Sequence, residues 1–157
     1  MNTVNLKRLQ NEIKFLQNQD DCKDIFRIKM IDDNIYHWQA VLFGPQESIY
    51  EGYEFKLNID IPSDYPISAP TIKFITPIEH MNINKAGDIC LDILKANGWS
   101  PTQSIKSLMI SIRLLLSCPN PSDPFNSSLA NLYNKNEKEY LKVIKQCCEK
   151  YAKPETN

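Results

Sequence analysis

No stretch of this chain is apolar for long enough to span a bilayer. The opening MNTVNLKRLQNEIKFLQ mixes charged with apolar residues where a secretory signal would need an unbroken apolar core. An excess of charge is missing too, since 18 Lys and Arg stand against 19 Asp and Glu for a formal charge of -1. A partner whose phosphates demand a basic face is therefore not expected, and neither nucleic acid nor a membrane is a first expectation. Histidine is scarce, with only His37 and His80, and no Cys-x-x-Cys occurs, so the converging ligands of a zinc site are lacking and no metal is expected. The five cysteines are an odd number and include the neighbours Cys147 and Cys148, which does not resemble a secreted disulfide framework. A reducing compartment, cytoplasm or nucleus, is the expected location.

What is present is enough for one domain, expected to run from 1 to 157 with a real hydrophobic core and no metal or disulfide staple. Leu6, Leu9, Ile13 and Leu16 recur at helical spacing and predict an amphipathic helix over about 3–18, broken by the polar segment from Gln17 to Asp24. Alternating and β-branched runs predict strands over Ile25–Met30, Ile35–Phe43, Tyr53–Ile61 and Thr71–Thr76, the first two joined by a turn at Asp32, Asp33 and Asn34. Pro62, Pro66 and Pro70 in PSDYPISAP predict an extended, stiff surface segment before the fourth strand. Ser104 reads as the N-cap of a buried helix reaching about Cys118. Asp123 is a plausible N-cap for a helix entered through Pro124, and Glu137–Lys150 reads as a last amphipathic helix with Leu141, Ile144 and Cys148 on one face. The fold class is α+β: an N-terminal helix, a four-stranded antiparallel meander, a long loop and three C-terminal helices.

From Pro77 to Gln103 neither period persists, which is long for a connection in a compact domain and points to function. Cys90 lies there. Cys118, Cys147 and Cys148 fall in predicted helices, and Cys22 sits beside Asp20, Asp21 and Asp24, whose charge disfavours a thiolate. A cysteine can hold an acyl group as a thioester, because its thiolate both attacks well and leaves readily when an amine arrives. A cysteine hydrolase would need a base near the thiol, and His80 is the one candidate.

HMNIN, GDICLDIL, WSP and PNPSDP, in that order and spacing, resemble the core of the ubiquitin-conjugating enzymes, and the likeness of element order covers nearly the whole chain. The resemblance implies that Cys90 forms the thioester, receiving ubiquitin from an activating enzyme and passing it to a substrate lysine. It implies that Asn82 serves the reaction, either as a neutral amide donor to the oxyanion or by pinning the loop. Asp123 matches the acidic gate of members that discharge onto lysine, where a carboxylate orients the incoming amine and favours its deprotonated form; the N-cap reading stands beside this one. The resemblance makes His80 a structural residue and places Leu91 and Asp92 beside the thioester. Exchange between thiols of similar pKa needs no strong acid or base, so hydrolysis is the weaker reading.

Lys7 and Arg8 match positions that face the activating enzyme, while Pro66, Ile67, Ser100 and Pro101 match two loops on which RING-type or HECT-type ligases dock. The implied partners are thus ubiquitin, the activating enzyme, a ligase and substrate proteins; no cofactor is implied, since ATP is used by the activating enzyme. The chain departs from the family pattern where Met81 replaces the usual proline between His80 and Asn82, where Ile67 replaces a frequent aromatic, and where Ala69 stands before Pro70 in place of a second proline. LKANGWSP is one residue longer than the shortest family version, with Gly98 available to absorb it in a turn. No long acidic loop follows Cys90, which favours ubiquitin over another modifier. A conjugating enzyme for a different modifier and a non-catalytic ubiquitin-binding scaffold are the alternative readings.

Overall fold

Apolar side chains meet apolar side chains at every second rung of the sheet, and this matching sets its register. In the computed structural model, which describes residues 3–18 and 20–155, β1 (Phe26–Ile31), β2 (Asn34–Phe43), β3 (Glu54–Asp60) and β4 (Thr71–Phe74) form an antiparallel meander in the order β1-β2-β3-β4. Trp38 pairs with Ile59, Ala40 with Leu57 and Leu42 with Phe55; Leu57 and Ile59 then pair with Phe74 and Ile72. All are buried. A slip of one residue would turn each of them to solvent, so the alternation in sequence specifies the pairing. At the first hairpin Asp32 and Asp33 both take left-handed backbone, with φ of 52° and 54°, which short polar side chains tolerate and which a tight turn between twisted strands requires.

α1 (Thr3–Gln17) packs on β1 through Leu9, Ile13 and Leu16, with Leu6 half-buried. The expected polar break after it includes Gln19, which lies outside the described residues. α2 (Ile105–Ser117) starts where predicted: Ser104 Oγ accepts from Ser107 N–H at 3.1 Å and Ser107 Oγ accepts from Ser104 N–H at 2.9 Å, a reciprocal cap. Its Ile105, Leu108, Met109, Ile112 and Leu116 join the inner face of the sheet in one core. Glu12 ties three elements together. One of its oxygens accepts from Ile105 N–H at 3.0 Å, the other from the Tyr65 hydroxyl at 2.6 Å and from Arg8 at 3.3 Å.

The structure corrects three expectations. PSDYPISAP is not extended: Tyr65 N–H donates to Pro62 and Ile67 N–H to Asp64, making successive turns that bury the Tyr65 ring. Asp123 is not an N-cap, and Pro124 does not open a helix. Phe125 and Asn126 N–H both donate to the Met81 carbonyl, at 2.8 and 3.0 Å, so the backbone is held outside helical geometry until α3 (Ser127–Lys135), which Asn126 caps. On α4 (Glu137–Tyr151), Tyr140, Ile144 and Cys148 form the buried line at four-residue spacing, and Leu141, one position round the helix, is exposed. Beyond α4 the Ala152 carbonyl accepts from Glu54 N–H at 2.8 Å, returning the chain to β3.

Candidate active site

The aperiodic stretch is ordered by side-chain to backbone bonds that stand in for regular structure. Asn84 Oδ1 accepts from the N–H groups of Ala86 and Asp88, closing a turn that lets Gly87 lie against β4. A Cβ on Gly87 would stand 2.1 Å from the Phe74 carbonyl, so only glycine fits that approach. Isolated bridges from Ile83 to His80 and to Ile89 follow, and Cys90 N–H donates to the Asn82 carbonyl at 2.8 Å. Past Cys90 a single 3-10 turn, Asp92–Leu94, leads to Gly98, whose backbone backs so closely on the Asp92 carbonyl that a Cβ would come within 1.9 Å. The turn expected at Gly98 is present, and close approach is what demands the glycine.

Cys90, half-buried, opens onto a groove of about 330 Å³ between its own loop, Ser111 and Leu114 of α2, and the segment carrying Asn120 and Asp123. Its Sγ donates to Asp123 Oδ2 at 3.6 Å. That same oxygen lies 3.9 Å from Lys95 Nζ, which is also 3.3 Å from Asp92 Oδ1. Burial pushes the thiol of Cys90 above its ordinary value; the Lys95 ammonium pulls the other way, and Asp123 and Asp92 add to the rise. The resting group is therefore a thiol, hydrogen-bonded to a carboxylate whose side chain is 69% exposed. Cys118, expected at the end of this helix, is the C-cap residue of α2 and lines this groove.

Asn82 is 1% exposed, and its amide is fully engaged. Nδ2 donates to the Asn120 carbonyl at 2.7 Å and the Asp123 carbonyl at 3.3 Å, while Oδ1 accepts from Asn120 N–H at 2.7 Å. His80 is equally enclosed: Nε2 donates to the Leu115 carbonyl at 2.9 Å, and Nδ1 accepts from Asn82 N–H at 3.0 Å. Burial lowers its pKa to about 4, and the bond to Leu115 only partly offsets this. With both nitrogens committed, His80 is not placed to take a proton from Cys90, and the arrangement suits thioester exchange better than hydrolysis. Met81, in the position of the usual proline, is fully buried and its carbonyl anchors Phe125 and Asn126.

The residues assigned to the activating enzyme and the ligase lie outside the lining of this groove. Trp99 Nε1 donates to the Pro66 carbonyl at 2.8 Å, which joins the two loops carrying Ile67 and Ser100–Pro101. Ile67 is 71% exposed. Lys7 is exposed, but Arg8 is turned inward: its guanidinium donates to the Pro101 and Gln103 carbonyls and lies over the Tyr65 ring at 5.2 Å. Lys95, Asn120 and Glu12 were not singled out by the sequence; the signal for Asn120 was its place in PNPSDP, and Lys95 lies five residues after Cys90 with nothing local to mark it.

The profile of the ubiquitin-conjugating enzyme family matches residues 8–148. The chain is 47% identical to the "Probable ubiquitin-conjugating enzyme E2 L460" of Acanthamoeba polyphaga mimivirus over 98% of each. It is 42% identical to ubiquitin-conjugating enzyme E2 1 of Caenorhabditis elegans, over 95% of this chain and 76% of that one. Among solved structures, the E2 domain of a Toxoplasma gondii ubiquitin-conjugating enzyme superposes with a TM-score of 0.86 at 35% identity, covering 94% of this chain and 99% of that one. With four helices and a four-stranded antiparallel meander among the described residues, as the superposition requires, the chain belongs to the ubiquitin-conjugating enzymes, transferases that act through a cysteine thioester.

Proposed function

We propose that Cys90 is the thioester-forming residue, that ubiquitin is its cargo, and that the acyl group passes from it to a substrate lysine. In the first step Sγ attacks the thioester that the activating enzyme carries, the new C–S bond forms, and the departing thiolate takes the proton that Cys90 gives up. In the second, a lysine amine attacks, the C–N bond forms, and the thiolate of Cys90 leaves. The observation that carries this reading is the contact of Cys90 Sγ with Asp123 Oδ2 at 3.6 Å in an open groove. It supports Asp123 as the group that orients the attacking amine and accepts its proton as the C–N bond forms. For Asn82 the three bonds to Asn120 and Asp123 support pinning of the segment that bears Asp123; service to the oxyanion would require Nδ2 to leave both carbonyls.

Leu91 and Asp92 flank the thioester in this reading, Lys7 meets the activating enzyme, and Ile67, on loops locked together by Trp99, offers an apolar contact to a RING-type or HECT-type ligase. ATP is consumed upstream and the chain needs no cofactor of its own; cytoplasm or nucleus is the expected setting. The test is a charging reaction with ubiquitin, activating enzyme and ATP, read on non-reducing gels. Wild type forms a reducible adduct, Cys90→Ala forms none, and Cys90→Ser forms a reductant-resistant ester. Full loading of Cys90→Ala would overturn the assignment.

A further inference from the structure

The two carboxylates that border Cys90 are already bridged by a cation. Lys95 Nζ lies 3.3 Å from Asp92 Oδ1 and 3.9 Å from Asp123 Oδ2, the same oxygen that accepts from Cys90 Sγ at 3.6 Å. The base of the Lys95 side chain is fixed: its N–H donates to the Asp92 carbonyl at 3.0 Å, and its own carbonyl accepts from Gly98 and Trp99 N–H at 2.9 Å each. Only the aliphatic stem is left to move, so the ammonium stays at the rim of the groove. Its bond to Asp92, and after that the neighbouring Cys90 and Asp123, hold its pKa above the ordinary value, so it is a cation across the neutral range. Among the described ion pairs, those of Lys95 alone reach Asp92 or Asp123.

We propose that Lys95 is a specificity-determining residue: its ammonium competes with the incoming amine for Asp123 and so holds down discharge of the thioester onto free, cationic amines. The inference rests on the reading of Cys90 as the thioester carrier and of Asp123 as the group that receives the acceptor. Loading Cys90 replaces the Sγ–H by an acyl group, which withdraws one donor from Asp123 Oδ2 and leaves the other, the Lys95 ammonium. A free lysine reaches the groove as an ammonium and meets a carboxylate that is already paired, with a like charge beside it. Lys95 forms no bond to the acyl group in this role; it acts by occupying a partner that the acceptor needs. The factor is modest, since an exposed ion pair holds its partner by about two- to fivefold. An acceptor lysine whose own protein is docked at the groove overcomes that factor through its high effective concentration, and a solitary amine in solution does not. The cation thus protects the loaded thioester from adventitious amines while leaving it open to a held substrate.

The test loads the full chain with ubiquitin, activating enzyme and ATP, removes ATP, and chases the thioester with free lysine or with hydroxylamine. Hydroxylamine is uncharged at neutral pH and has no call on a carboxylate. Decay without either nucleophile is subtracted, and the readout is the ratio of the lysine rate to the hydroxylamine rate, which divides out any change in the thioester itself. Lys95→Ala is expected to raise that ratio about two- to fivefold, the worth of an exposed ion pair. Lys95→Arg, which keeps the charge, holds the ratio at the wild-type value. In an Asp123→Asn background Lys95→Ala no longer raises it, because the contested partner is gone. An unchanged or lowered ratio in Lys95→Ala, an equal rise in Lys95→Arg, or a rise of the same size in the Asp123→Asn background would each overturn the proposal while leaving the thioester reading intact. Failure of wild type to form any reducible adduct would overturn both.

Discussion

The amide of Asn82 and the backbone of Asn120 bond to each other in both directions, N–H to Oδ1 and Nδ2–H to carbonyl, each at 2.7 Å. This pair, not a helix start, fixes the segment that carries Asp123. Asn82→Ala leaves a buried N–H and two carbonyls short of partners, a cost of about 2 kcal/mol or more for such unmet groups. The expected fall in Tm is roughly 4–8 °C for a chain of this size. Charging persists while discharge to lysine drops, because Asp123 loses its anchor. An unfolding midpoint equal to that of wild type would refute the pinning role.

Opposite changes at the two charges beside Cys90 are expected to move its reactivity in opposite directions. Asp123 holds the thiol up through its hydrogen bond and charge, and Lys95 draws it down. Asp123→Asn therefore raises the rate of iodoacetamide alkylation at neutral pH, and Lys95→Ala lowers it, since the thiolate is the reacting form. The midpoint of rate against pH falls in the first variant and rises in the second. Two shifts of the same sign would show that burial alone sets the thiol's behaviour.

Strands, their order and the Ser104 cap were legible because each depends on local pattern: alternation for β2 and β3, a hydroxyl three residues ahead of a backbone N–H for α2. Cys90 stood out as the cysteine in an aperiodic stretch, and Asp123 beside it was implied by the family resemblance of PNPSDP, with a helix cap as the rival reading. What stayed hidden depends on contacts distant in sequence. Asp123 looks like a cap until the Met81 carbonyl is seen to hold Phe125 and Asn126. Arg8 looks like an open basic position until its guanidinium is seen on Pro101 and Gln103. PSDYPISAP looks extended because proline restricts φ, but burial of Tyr65 and its bond to Glu12 fold it. Lys95 carries no local signal at all, because its neighbours Cys90 and Asp123 come together only in the folded chain.

Ile67 is a large apolar side chain set out in solvent on a loop that Tyr65 and the Trp99–Pro66 bond hold still. Its truncation removes little from the fold, so Ile67→Ala should unfold within about 0.5 kcal/mol of wild type. If the exposed side chain anchors a ligase, the stimulation of lysine discharge by that ligase falls about tenfold or more, as for a central contact in an interface. Intrinsic charging is the internal control and should be the same in both. Undiminished ligase stimulation in Ile67→Ala would remove this loop from the docking surface.

His80 makes the strongest pH prediction. Its folded pKa is about 4, against an ordinary imidazole value of about 6.5 in an unfolded chain. Between those values the unfolded chain binds a proton that the native one refuses, so unfolding gains free energy as the pH falls. His80 therefore contributes a loss of stability that begins below about pH 6.5, accumulates to roughly 3 kcal/mol near pH 4, and is absent at neutral pH. Urea midpoints of wild type taken from pH 7 to 4 should fall more steeply than those of His80→Asn, which cannot titrate, so that the gap between the two narrows with acid. In a His37→Gln background, the His80 ring resonance should stay that of neutral imidazole down to about pH 5. A ring that titrates near 6.5 in the folded protein would show that the bonds to Leu115 and Asn82 do not enclose it, and the case against His80 as a base would fall with them.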